Sequence, residues 1–155
     1  MAKTVLKLQE FFQLDVEING FTNPETGEVL VKGLLAEKIS VPTKYWLYDL
    51  AKKVTAEKEV INSLREELIK KYGTADEQGN VSIPIYINEV VDDDTKEVVS
   101  REVNPAYVSF QNDFNLLLNE ERELEHHAFQ LGDFENVSTE ANYAVLFKLI
   151  QAPNA

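Results

Sequence analysis

Residues 40–73, SVPTKYWLYDLAKKVTAEKEVINSLREELIKKYG, read as one helix from end to end. Ser40-Val41-Pro42-Thr43 makes a helix start with proline in the first turn, and Lys70-Lys71-Tyr72-Gly73 makes a stop, with cations before a terminating glycine. Inside it, Leu47, Leu50, Val54, Glu57, Ile61, Leu64 and Leu68 are spaced 3, 4, 3, 4, 3, 4. That is a heptad seam broken once by Glu57, on a helix of about eight turns.

Working outward toward the C-terminus, a second seam runs through Tyr107, Phe110, Phe114, Leu117, Glu121 and Leu124, opening at Asn104-Pro105 as cap and first helical residue. Neither seam can bury its stripe alone. Two such helices therefore predict an antiparallel helical hairpin over 42–73 and 105–124. Glu57 and Glu121 interrupt the seams, and because a buried unpaired carboxylate is costly they are expected at the seam's edge, reaching solvent or a nearby lysine.

Between the helices, Asn80 to Ile87 and Lys96 to Val103 are strand-like runs around Asp92-Asp93-Asp94-Thr95-Lys96, giving a β-rich insertion over 80–103 with a β-hairpin at the far end of the helices. Pro84 puts the first run on an edge, since proline cannot donate to a ladder. Toward the N-terminus, the apolar spacing from Lys3 to Asn19 suits a helix closed by Gly20, with a competing strand in Leu14-Asp15-Val16-Glu17-Ile18. The segment Phe21 to Val31 has turn chemistry in its middle and reads as a loop or small hairpin. Leu124 to Leu131 reads as a short strand, and a C-terminal helix is expected over 138–150 with Ser138 as its cap, followed by a frayed tail. The expectation is a single α+β domain over 1–155, mainly helical.

A chain of 155 residues, 44% of them hydrophobic, has material for one core. Its apolar runs fall far short of the roughly 20 residues of a membrane span, and Met1 to Lys7 lacks the features of a signal peptide. The absence of cysteine removes disulfides and thiolate chemistry, consistent with a cytoplasmic protein. A net charge of -12 argues against phosphate or anionic lipid as a direct partner. The acid lies in the second half, while the long helix is mildly basic.

Chemistry has little to stand on. The only histidines, His126 and His127, are adjacent and diverge in either a strand or a helix, so one metal cannot easily take both. Asp92-Asp93-Asp94 invites a calcium reading but lacks the glycine and the final glutamate of an EF-hand loop, and Asp76 to Asn80 is only the opening of such a pattern. The glycines are isolated, which leaves no phosphate loop, and no serine sits in a nucleophile elbow. Neither a metal nor a cofactor is expected.

Gly33 to Ser40, Lys44-Tyr45-Trp46-Leu47, Arg65 to Gly73 with Asp76 to Asn80, and Phe114 to Glu120 together resemble small, uncharacterised proteins of tailed-bacteriophage genomes. The resemblance spans about 110 residues and implies a context, the cytoplasm of an infected host, but no transferable site. The expectation is a small acidic phage accessory protein that is not an enzyme and binds a protein partner, phage or host, or a second copy of itself. The residues expected to make that contact are Tyr45, Trp46 and Tyr48 at the start of the long helix and Asp92, Asp93 and Asp94 at the acidic tip, although such aromatics also serve cores. One alternative is an acidic inhibitor of a host defence or nucleic-acid-processing enzyme, its carboxylates standing in for phosphates. The other is an enzyme or metal protein using His126 or His127 with nearby glutamates.

Overall fold

The computed structural model describes residues 1–137 and 143–151. The expected Ser138 cap and the tail beyond Gln151 lie outside the described residues. The chain is α+β and divides into two compact units, Met1–Val60 with Asn119–Ala155, and Ile61–Leu118. Among the described residues there are four α-helices and ten short strands, and the strands pair into five two-stranded sheets.

In the first unit, β1 (Ala2–Lys7) runs directly into α1 (Leu8–Asn19), so the helix expected from Lys3 begins at Leu8, and Leu14 to Ile18 is helical. Glu10 reaches back to accept the Lys7 backbone N–H at 3.0 Å, satisfying a donor at the helix start. β2 (Phe21–Thr22) and β3 (Val29–Val31) form the small hairpin. β8 (Glu121–His126) pairs antiparallel with β1, from Ala2 opposite His126 to Lys7 opposite Glu121. β9 (Phe129–Gln130) pairs in parallel with β10 (Ile150–Gln151), and α4 (Ala144–Leu149) lies between them in sequence.

The core of this unit gathers Leu6, Phe11, Leu14, Ile18, Leu34, Leu47, Leu50, Val54, Leu124, Phe129 and Leu149, all buried. Each such side chain removes apolar surface from water for roughly 1.5–3 kcal/mol. A buried carboxylate also holds this unit together. Glu17, only 2% exposed, accepts the backbone N–H groups of Val145 (3.0 Å) and Leu146 (3.2 Å) through one oxygen, so α1 supplies the anion that the start of α4 lacks in its own sequence.

The second unit takes the C-terminal part of α2 (Val41–Tyr72), then β4 (Thr74–Ala75), β5 (Val81–Ser82), β6 (Tyr86–Val91), β7 (Val98–Val103) and α3 (Pro105–Leu118). Its helices touch where the Tyr72 hydroxyl donates to Asp113 at 2.5 Å, and Phe110 stacks on Phe114. Only Ile61 and Phe110 among its apolar side chains are buried.

These observations overturn the mainly helical, heptad-paired hairpin with one small β-hairpin at its end. The helix expected over 105–124 stops at Leu118, and Glu121 and Leu124 of its seam lie on β8. The residues Glu121-Arg122-Glu123-Leu124-Glu125-His126 alternate, burying Leu124 and His126, and pairing with β1 satisfies their backbone in a way a helix end could not. The first seam is split as well. Leu47, Leu50 and Val54 go into the core of the first unit, whereas Leu64 remains 37% exposed.

No helix among the described residues is long and apolar enough to cross a membrane. At the base of the β2/β3 hairpin, a Cβ on Gly33 would stand 2.5 Å from the Ile18 carbonyl oxygen and closer still to the Gly20 nitrogen. Gly33→Ala is therefore expected to destabilise the protein by more than ~2 kcal/mol in urea denaturation. Gly27→Ala, at φ 75° with open space around it, is expected to cost only the left-handed backbone penalty of about 1 kcal/mol.

Candidate functional site

The aromatics at the start of α2 divide by role. Trp46 stacks on His127 with ring centroids 4.7 Å apart and planes 5° from parallel, and it packs against the core. Tyr45 and Tyr48, 65% and 56% exposed, stand on the surface beside Asp49 and Lys52 and line a shallow depression with them. Of the three, the two tyrosines stay largely in solvent, and Trp46 holds α2 against the segment after β8.

His126 is 1% exposed and fully engaged. Its Nδ1–H donates to the His127 carbonyl at 2.7 Å, which leaves Nε2 to accept the Thr4 hydroxyl at 2.8 Å, so the neutral ring is held in one tautomer. Burial pushes its pKa below the ordinary value, partly countered by that hydrogen bond and aided by the nearby Lys53 cation. Among the described residues no group of three or more histidines and carboxylates is arranged to hold a metal. The seam glutamates also have places. Glu57 pairs with the Nε of Arg122 at 2.9 Å, and Glu121 is exposed on β8 opposite Lys7.

At the acidic tip the three aspartates do different things. The Asp92 carboxylate accepts the backbone N–H groups of Asp94 (2.8 Å) and Thr95 (3.0 Å), which lowers its pKa and ties it into the turn. Asp93 and Asp94 are exposed.

A run of exposed apolar side chains lies on the ribbon of β6 and β7 that carries this tip. Tyr86, Val90, Val91, Val98, Val99 and Val103 are all exposed, Val99 by 66%. Arg101 lies 3.8 Å over the Tyr86 ring, and Asn88, Glu89, Ser100 and Glu102 are the other polar side chains of the pair. Two register shifts, with Asn88 at φ 54°, break the alternation that would sort the side chains into a wet and a dry face. The strand expected over Lys96 to Val103 contains β7. The one expected over Asn80 to Ile87 is broken around Pro84, which lies in no strand, and β6 begins only at Tyr86 and runs on to Val91. The exposure of the pair was not foreseen. The paired valines Val90-Val91 and Val98-Val99 were the available signal, because they leave apolar residues on both faces.

Comparison of the chain with protein families, with curated proteins and with solved structures finds no match in any of the three.

Because His126 in the folded chain titrates below its ordinary value of about 6.5, the unfolded chain takes up the proton first. Its contribution to stability is intact above that value and is lost as pH falls from it toward the folded pKa. The melting temperature is therefore expected to fall as pH drops below about 6.5, and His126→Asn is expected to flatten that slope. Comparison with the variant separates this effect from Glu17, whose pKa is raised by burial, so that its contribution is present at low pH and lost as pH rises.

Proposed function

We propose that this protein acts by binding another protein, without catalysis of its own, and that the β6–β7 ribbon is the principal contact. One observation carries the reading: a two-stranded ribbon of six-residue strands leaves most of its apolar side chains in water. An isolated hairpin of this kind is marginal at best, and contiguous exposed apolar surface on a small protein marks an interaction site. A partner covering the ribbon would supply the burial that its own chain does not.

The role fits the context implied by the resemblance to small tailed-phage proteins, an accessory factor working in the host cytoplasm on a phage or host protein. The exposed Tyr45 and Tyr48 are a secondary contact, of the residue types that anchor interfaces.

The test is capture by the tagged, full-length protein from phage-infected host lysate. Val99→Asp with Val103→Asp is expected to lose the captured protein while shifting stability by less than about 1 kcal/mol, since both side chains are exposed. Val60→Asp, an equally exposed valine on α2, is expected to retain it. Equal capture by both variants would sink the assignment of the ribbon.

A further inference from the structure

The turn that closes the β6–β7 ribbon occurs twice in this chain. Asn23-Pro24-Glu25-Thr26-Gly27-Glu28-Val29 closes the β2–β3 hairpin, and Asp92-Asp93-Asp94-Thr95-Lys96-Glu97-Val98 closes β6–β7. Position by position they share an Asn or Asp, a threonine three residues on, then a residue with positive φ, a glutamate and a valine. Their hydrogen bonds correspond as well. Asn23 N–H donates to the Glu28 carbonyl at 2.8 Å, as Asp92 N–H does to the Glu97 carbonyl at 2.9 Å. Gly27 N–H donates to the Asn23 carbonyl and Lys96 N–H to the Asp92 carbonyl, both at 2.8 Å. The side chain of the first residue accepts the N–H two residues on, Glu25 to Asn23 at 2.9 Å and Asp94 to Asp92 at 2.8 Å. Thr26 and Thr95 accept the next glutamate's N–H at 3.3 and 3.4 Å, and φ is 75° at Gly27 and 60° at Lys96.

The two hairpins also share their surface. Phe21, Val29, Leu30 and Val31 of the first are exposed, as the ribbon valines are. Each hairpin is a two-stranded sheet whose outer strand edges belong to no larger sheet, and each places carboxylates at its closed end, Glu25 and Glu28 in one, Asp93, Asp94 and Glu97 in the other. Cations are fewer there, Lys32 paired with Glu37 beside the first hairpin and Lys96 and Arg101 on the second. An exposed edge of unpaired backbone groups, flanked by apolar side chains and an excess of carboxylates, is therefore a template for an added strand that alternates apolar and basic residues. A second copy of this chain is a poor occupant, because it would bring like carboxylates and a net charge of -12 against each other.

We propose that β2–β3 and β6–β7 are two copies of one recognition element, each taking an extended, basic and apolar segment of a partner protein by strand addition. The chain then engages that segment twice, which suits a partner that presents it in more than one copy. This rests on the reading of β6–β7 as the contact ribbon, and the experiment separates the two.

The 15N-labelled full-length protein is titrated with a short capped peptide alternating lysine and valine, followed by amide chemical shifts. A proline-interrupted peptide of the same charge serves as control, because proline removes the donors that strand addition needs. Two peptides bound per chain, shifts confined to 21–31 and 86–103, and no binding of the proline peptide are expected. Leu30→Lys is expected to reduce the stoichiometry to one and leave the shifts at 86–103. Shifts at 86–103 alone would overturn the duplication and spare the ribbon. Shifts spread over the acidic surface and kept with the proline peptide would mean charge attraction only and overturn both. Silence at both hairpins would overturn strand addition altogether.

Discussion

The pairing of β1 with β8 is the contact on which the rest of the structure depends. It joins Ala2 to His126 and Lys7 to Glu121 across most of the chain, and closing so long a loop costs entropy that grows only slowly with its length. Burial of Leu6 and Leu124 on the inner face offsets that cost. Several features follow from it. β1 continues into α1 without a loop, and the Leu8 N–H at the first turn donates to the Glu120 carbonyl at 2.9 Å, so the helix start is anchored by the incoming strand. The chain must leave α3 at Leu118 to reach β8. His126 is carried inside, where Thr4 across the strand pair completes its hydrogen bonds.

The two units differ in what they keep dry. In the first, the strand pair, α1, α4 and the opening turns of α2 close around one apolar cluster, and Glu17 is held between helices by two backbone donors. In the second, burial reaches only Ile61 and Phe110, and the strands turn valines to water. Segments with few buried contacts sit at the low end of local stability, which is where binding surfaces are usually drawn from. The dense unit keeps its apolar side chains dry, and the thin one leaves most of them at its surface.

Legibility from sequence followed the range of the interactions. The bounds of α2 were readable because its start and stop signals, Pro42 and Gly73, act within a turn of their own positions. The turn at Asp92 and the strand β7 after it were readable for the same reason, whereas the strand before the turn was expected over 80–87 and lies at Tyr86–Val91. Tyr45 and Tyr48 were singled out by residue type, and the structure leaves them exposed, but Trp46 beside them is taken up by His127, a residue far along the chain. The equivalence of the two turns was present in the sequence as two short strings. Only the matching hydrogen bonds and the positive φ at Lys96, where a glycine would be expected, made it visible.

What the sequence by itself determined is local: the long helix, the turn chemistry at Asn23 and Asp92, the acidity, and the absence of thiol chemistry. Tertiary structure alone decided which apolar stripe is buried and which is not. A heptad seam records that a face is apolar, and it records nothing about what covers it. Leu47, Leu50 and Val54 are covered by strands and helices from both ends of the chain, whereas Leu64 keeps part of its surface in water. Likewise Glu121 to His126 has helical spacing and strand alternation at once, and the choice falls to a partner strand more than a hundred residues away, whose backbone donors and acceptors no local window contains.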